Sequence, residues 1–128
     1  MVKNMYKINV VSSFSGAHHL SGYDGECKNL HGHNWKVRVQ LIVKEVDSIG
    51  MGIDFKVVKK HLSALIDSFD HKYLNDLEYF KDKNPTSENI AKVIYEELQK
   101  SFVNTAKVSE VEIWESEFSS VIYTKVEG

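Results

Sequence analysis

The chain has 128 residues, with 16 basic and 18 acidic side chains and a formal net charge of −2. This length suits one domain over residues 1–128 and excludes a second. The two signs of charge are interleaved, which indicates no nucleic-acid partner and no membrane surface. A single cysteine excludes an internal disulfide, and Lys3, Asn4, Lys7 and Asn9 break up the N-terminal apolar residues, which excludes a signal peptide or spanning helix there. We therefore expect a cytoplasmic protein with a small-molecule partner.

The first half of the sequence predicts two strands. Apolar residues of one parity recur in two stretches, which are Tyr6, Ile8, Val10 and Phe14 in the first and Trp35, Val37, Val39, Leu41 and Val43 in the second. This alternation is typical of strands with one buried face. Residues 15–30 contain three glycines and no periodicity, so they are predicted to form a long loop, and loops of that length are often functional.

Two helices and a second pair of strands follow. Asp54 can cap a helix that ends near Ser68, and Thr86 can cap another whose apolar stripe runs from Ile90 to Phe102. Residues 108–115 and 119–126 are rich in Val, Ile, Trp and Tyr and predict the closing strands. The order ββααββ predicts an α+β fold with a four-stranded antiparallel sheet and both helices on one face. Its two open edges favour an oligomer that joins sheets edge to edge.

Three histidines have the spacing of a metal site. His31 and His33 are two residues apart, and His18 lies thirteen residues before His31. Side chains two apart on an extended segment project from one face. Three imidazoles without a fourth protein ligand are typical of an open, catalytic zinc site rather than a closed structural one. His19 and His61 lack such an arrangement and are interpreted as structural.

Six short motifs follow one another along nearly the whole chain. They are Phe14-Ser15-Gly16-Ala17-His18, Cys27-x3-His31-Gly32-His33, Asp54-Phe55, Phe69-Asp70-His71-x2-Leu74-Asn75, Pro85-Thr86-x-Glu88-Asn89 and Trp114-Glu115. Together they resemble the 6-pyruvoyltetrahydropterin synthase family, and most of all its 6-carboxytetrahydropterin synthase branch. The resemblance implies the T-fold, in which subunits join their sheets into a barrel and active sites lie between subunits. A homo-oligomer such as a hexamer built from two trimers is one such assembly.

The resemblance also implies a zinc enzyme that acts on 7,8-dihydroneopterin triphosphate. The positions that match the zinc ligands are His18, His31 and His33. In the carboxytetrahydropterin branch the triphosphate is expelled and a two-carbon fragment leaves as acetaldehyde. The product, 6-carboxy-5,6,7,8-tetrahydropterin, feeds the synthesis of queuosine and other deazapurines.

Further positions match family residues that act on the pterin. Cys27 matches the general base, and Asp70 with His71 matches the pair that returns protons, with the carboxylate orienting the imidazole. Glu115 matches the pterin anchor, because a carboxylate can accept two parallel N–H donors, and its parity with apolar neighbours calls for such a partner. Thr86 is a helix cap and, alternatively, also a pterin contact.

Glu26, directly before Cys27, leaves the reaction open. Some relatives use a glutamate near this point to cut the substrate side chain shorter and form 6-hydroxymethyldihydropterin for folate synthesis, which would make Glu26 a substrate-binding residue. Otherwise Glu26 faces solvent. A 6-pyruvoyltetrahydropterin-forming activity is a further alternative. An alternative of another class is a non-catalytic, zinc-containing module that binds a pterin or purine, which would not need Cys27, Asp70 and His71.

Overall fold

The structure, a computed structural model, describes residues 2–22, 31–103 and 106–126. These stretches form five strands and two helices, which are β1 (Tyr6–His18), β2 (His31–Val43), α1 (Phe55–Asp67), β3 (Lys72–Tyr73), α2 (Ser87–Ser101), β4 (Lys107–Ser116) and β5 (Ser119–Thr124). Two short 3₁₀ turns, Leu74–Asp76 and Glu78–Phe80, lie between β3 and α2. The predicted order ββααββ is confirmed, with one short strand added.

The described strands form a single sheet in the order β3-β1-β2-β4-β5. The four long strands pair antiparallel, as predicted. The fifth strand corrects the prediction of a four-stranded sheet, because β3 pairs parallel with β1 at Gly16 and Ala17. Two residues are too few to show an alternation in the sequence, so the pattern did not reveal β3.

The ladder between β1 and β2 is longer than the apolar residues of the two strands predict. Residues 15–18, predicted as the start of a loop, pair with residues 31–34. Serine, glycine and histidine show no apolar period, but their backbone N–H and C=O groups still need partners and complete the ladder. The longer ladder places the backbones of His18 and His31 directly opposite each other.

Both helices pack on one face of the sheet. The Asp54 side chain accepts the N–H of Lys56 at the start of α1, and the Thr86 hydroxyl accepts the N–H of Asn89 at the start of α2, so both predicted caps are confirmed. Side chains from strands and helices meet in one buried core, which includes Phe14, Trp35, Leu41, Leu62, Phe69, Ile90, Ile94 and Ile113. Burying each such side chain contributes about 1.5–3 kcal/mol to folding.

The opposite face of the sheet is polar. Arg38 forms ion pairs with Glu110 and Glu112 on the neighbouring strand β4, and it donates to the amide oxygen of Asn9 on β1. Opposite charges on adjacent strands stabilise a sheet without apolar cover.

Among the described residues, no helix combines the length and apolar character needed to cross a membrane.

Candidate metal centre and active site

Three potential metal ligands converge at one end of the buried face of the sheet. The Nε2 atom of His18 lies 3.1 Å from Oε1 of Glu115, and the Nε2 atom of His33 lies 2.8 Å from the same oxygen. The ligand atoms of the three residues all lie within 4.8 Å of one another. This group can hold a divalent metal ion.

Strand pairing brings the three residues together. Gly16 pairs with His33 across the β1–β2 ladder, so His18, two residues further along β1, is the diagonal neighbour of His33. Glu115 lies on β4 and has the same parity as the buried residue Ile113. Because side chains alternate along a strand, all three functional groups lie on the helix-covered side of the sheet.

Trp35 supports both imidazoles from the core. Its ring centroid lies 5.0 Å from that of His18 and 5.4 Å from that of His33, with both pairs edge to face. The indole N–H donates to the backbone oxygen of Gly16 over 3.2 Å, so the fully buried tryptophan has a polar partner. These contacts restrict the rotation of both histidine rings.

The chemistry around His18 fits a metal ion. This residue is 1% exposed, and its Nδ1 atom lies 2.7 Å from the backbone oxygen of Pro85. A carbonyl oxygen only accepts, so Nδ1 donates to it, and Nε2 is the ring atom that faces Glu115. A ring nitrogen and a carboxylate oxygen 3.1 Å apart need a proton or a cation between them. Zinc accepts nitrogen and carboxylate ligands, and a zinc-bound imidazole commonly donates its other ring N–H to a backbone carbonyl.

Two of the three predicted zinc ligands, His18 and His33, belong to this group, and Glu115, predicted as the pterin anchor, is its third described member. The backbone of His31 pairs with that of His18. The side chains of three predicted site residues lie outside the described part of the chain: Glu26, Cys27 and His31. Their roles stay predictions.

A cavity of about 510 Å³ opens beside the metal group, and His33 belongs to both. Asn34 on β2 and the consecutive residues His71, Lys72 and Tyr73 also line it. The described lining includes no carboxylate, and the Lys72 ammonium adds a positive charge. The cavity therefore has the size of a small-molecule site and favours an anionic ligand.

His71, of the predicted pair Asp70 and His71, lines this cavity, and both residues are held to β1. Oδ1 of Asp70 lies 3.1 Å from Nδ1 of His71 and accepts the backbone N–H of Ser15 over 2.9 Å. The N–H of His71 donates to the backbone oxygen of Ser15 over 2.6 Å. These bonds hold His71 at a φ of +57°, a left-handed conformation that is uncommon for a non-glycine residue. Its side chain is 82% exposed, so a ligand in the cavity can reach the ring.

The contacts of Asp70 make the fold sensitive to acid. Its carboxyl pKa is lowered, first because it accepts the Ser15 N–H and further because His71 lies beside it. Such a group stabilises the fold above its unfolded pKa of about 3.9, and the contribution is lost as the pH falls through the lower folded pKa. We expect wild type to exceed Asp70→Asn in free energy of unfolding at about pH 6, with a smaller difference at about pH 2. Denaturant titrations at the two pH values measure this, and a difference that grows on acidification would contradict it.

Some site features were not predicted. Trp35 shares the parity of His33, so the sequence held a signal for its place behind the imidazoles. The Pro85 carbonyl left no such signal, because backbone acceptors do not appear in side-chain patterns. His19 and His61, interpreted as structural, pack on aromatic rings, the first stacked on that of Tyr73 and the second edge-on to that of Phe102.

Sequence comparison assigns the chain to a family. The family described as 6-pyruvoyl tetrahydropterin synthase matches residues 7–126. A Synechocystis protein named 6-carboxy-5,6,7,8-tetrahydropterin synthase is 38% identical over 96 residues, covering 71% of this chain and 73% of the relative. The Haemophilus influenzae protein of the same name is 30% identical over 141 aligned residues, covering 93% of this chain and 99% of the relative.

Solved structures share the fold. The structure of Caenorhabditis elegans 6-pyruvoyl tetrahydropterin synthase matches with a TM-score of 0.84 and 32% identity, covering 97% of this chain and 98% of that one. A Plasmodium vivax 6-pyruvoyltetrahydropterin synthase matches in fold with a TM-score of 0.76 at 21% identity, covering 96% of this chain and 99% of that one. The predicted T-fold is thereby confirmed. The chain belongs to the 6-pyruvoyl tetrahydropterin synthase family.

Proposed function

We propose that this chain is a zinc-dependent lyase that converts 7,8-dihydroneopterin triphosphate and water to 6-carboxy-5,6,7,8-tetrahydropterin, with release of acetaldehyde and triphosphate. The observation that carries the proposal is the convergence of His18, His33 and Glu115 beside a cavity whose lining includes His71. Family membership supports a tetrahydropterin synthase. The names of the Synechocystis and Haemophilus relatives support the carboxytetrahydropterin branch. The product of that reaction is proposed to serve queuosine synthesis.

The proposed zinc ligands are His18, His31 and His33. The paired backbones of His18 and His31, and the short distance from His33 to the same group, support this set. A zinc ion bound there supplies positive charge that acidifies the side-chain hydroxyls of the substrate and favours loss of a proton from carbon. In this proposal Glu115 binds the substrate rather than the ion.

The chain's own residues then move the protons. Cys27 accepts the proton from carbon as a thiolate. His71 returns a proton on the other side of the substrate. Asp70 binds Nδ1 of His71, so that Nε2 of the same ring faces the cavity. Glu115 accepts the parallel N–H donors of the pterin, which fixes the distance between the reacting carbon and both groups.

The cavities beside the site suit this substrate. The lining of the 510 Å³ cavity combines Lys72 with histidines and lacks carboxylates among its described residues, which suits a polyanionic triphosphate. Glu115 lines a neighbouring cavity of about 420 Å³, and Asn34 lines both. In this proposal the pterin lies at Glu115 and the phosphates lie near Lys72.

The enzyme is proposed to act as a cytoplasmic homo-oligomer. β5 and the part of β1 before Ser15 have no outer partner strand among the described residues. Exposed strand edges pair readily with other strands, so joining sheets of several copies would satisfy them. A monomeric mass in solution would contradict this assembly.

Product identification tests the proposed reaction. Zinc-loaded protein is incubated with 7,8-dihydroneopterin triphosphate, in parallel with Cys27→Ala and Glu26→Ala, and products are identified by mass. We expect carboxytetrahydropterin and acetaldehyde, with loss of about 10²–10⁴-fold in rate for Cys27→Ala and little change for Glu26→Ala. Hydroxymethyldihydropterin that disappears in Glu26→Ala would instead support folate synthesis. Tight binding without turnover would support the non-catalytic binding module.

A further inference from the structure

Two asparagine side chains bind the backbone that continues β1 past its last paired residue. The amide of Asn75 accepts the N–H of His19 over 3.0 Å and donates to the C=O of the same residue over 3.0 Å. The amide of Asn84 does the same for Ser21, over 2.9 Å and 2.8 Å. Each side chain thus satisfies both backbone groups of one residue, as a neighbouring strand would.

The two amides continue the edge of the sheet. β3 runs parallel to β1 and ends at Tyr73, which pairs with Ala17. Asn75 follows two residues after Tyr73 and binds two residues after Ala17, so the side-chain bonds extend the same register. Two residues further on, Asn84 binds Ser21 in the same way, so the two amides hold the backbone at His19 and at Ser21.

The segment around Asn84 also orients a proposed metal ligand. The next residue, Pro85, accepts the Nδ1–H of His18 over 2.7 Å. The backbone oxygen of Asn84 accepts from the side chain of Asn89 in the first turn of α2 over 2.8 Å, which ties this segment to the helix. The residues before α2 thus make two sets of contacts. One is with the His18 ring on β1, and the other is with the Ser21 backbone after β1.

We propose that Asn75 and Asn84 are positioning residues for the metal centre, and that their paired hydrogen bonds hold the end of β1 so that Nε2 of His18 addresses the ion. This inference rests on the proposed function, because it takes His18 as a zinc ligand. Nothing in the catalytic chemistry involves the two amides directly. They act on the ion by orienting the His18 imidazole. Loss of the hydrogen bonds that support a metal-bound imidazole commonly lowers metal affinity by about 10–100-fold.

The test compares zinc affinity in the intact protein. Chelator competition measures the zinc dissociation constant, and thermal unfolding of the metal-free protein measures stability, for wild type, Asn75→Ala and Asn84→Ala. Gln99→Ala is a matched control, because the Gln99 amide also binds backbone groups on both of its atoms, at Ala106 and Val108, near the other end of α2. Asn84→Asp keeps the acceptor for the Ser21 N–H, loses the donor to the Ser21 C=O and adds a negative charge, and it serves if the alanine variant does not fold.

We expect zinc affinity to fall by about 10–100-fold in Asn75→Ala and Asn84→Ala, and to fall in Asn84→Asp as well, while Gln99→Ala keeps wild-type affinity despite a lower melting temperature. Wild-type affinity in the asparagine variants would overturn the inference. An equal loss in Gln99→Ala would also overturn it, since general destabilisation would then suffice. If wild type bound no zinc, the proposed metal centre would fail and this inference would fail with it. If wild type bound zinc and the asparagine variants bound it equally well, only the inference would fail.

Discussion

Replacing His33 with alanine is expected to remove stable zinc binding and to lower turnover by about three orders of magnitude, without unfolding the chain. Losing the ion's charge removes several kcal/mol of transition-state stabilisation, and about 4 kcal/mol corresponds to about 10³ in rate. His33 is the better choice for this test than His18. Its side chain is 24% exposed, whereas that of His18 is 2% exposed and packed on the core.

Metal analysis after dialysis, circular dichroism and a turnover assay measure the three parts of this expectation. His61→Ala is the matched control, because this histidine lies on α1 with its ring against Phe102. It should keep full metal content and activity. Full zinc occupancy in His33→Ala would exclude His33 as a ligand. Unfolding of that variant, with recovery of the fold only at high zinc concentration, would support a structural ion instead.

Replacing His71 with asparagine is expected to lower kcat by about 10²–10⁴-fold, the usual contribution of a general acid or base, with metal content unchanged. The imidazole is exposed to the cavity and paired with Asp70, so its removal deprives the substrate of a proton donor. Asparagine is chosen because it tolerates the left-handed backbone at this position better than alanine does. The variant therefore tests the loss of the imidazole ring rather than a change in the backbone conformation at this position.

Steady-state kinetics over a range of pH, together with metal analysis, measure this effect. Lys56→Gln on the exposed surface of α1 is a control for a changed charge away from the cavity. A His71→Asn variant with wild-type kcat would exclude His71 as an acid. A rise in KM with kcat unchanged would assign the ring to substrate binding instead.

Much of the fold could be predicted because long elements bury one continuous face. Apolar and polar residues alternate from Trp35 to Leu41, and the stripe that begins at Ile90 follows the cap at Thr86. The extension of β1 to His18 could not be predicted in this way, since the residues that add it are glycine, serine, alanine and histidine. β3 depends wholly on a tertiary pairing with β1, which no local pattern records.

The site was predicted unevenly for a similar reason. The spacing of His31 and His33 reflects the period of a strand, and the parity of Glu115 indicated its burial. The approach of Glu115 to the two imidazoles depends on the register between strands, which the sequence pattern does not specify. The bonds from Asn75 to His19 also join segments far apart in the chain, and they became visible only in the fold.

The central claim is that three histidines hold the metal while Glu115 binds the pterin rather than the ion. A crystal structure of the zinc-loaded protein without substrate tests this most directly. We predict zinc bound to His18, His31 and His33 at about 2.0–2.1 Å, with solvent in the fourth position and both Glu115 oxygens beyond bonding distance. Zinc bound instead to His18, His33 and a Glu115 oxygen at about 2.0–2.2 Å would contradict the claim, since the carboxylate would then be a ligand rather than the pterin anchor.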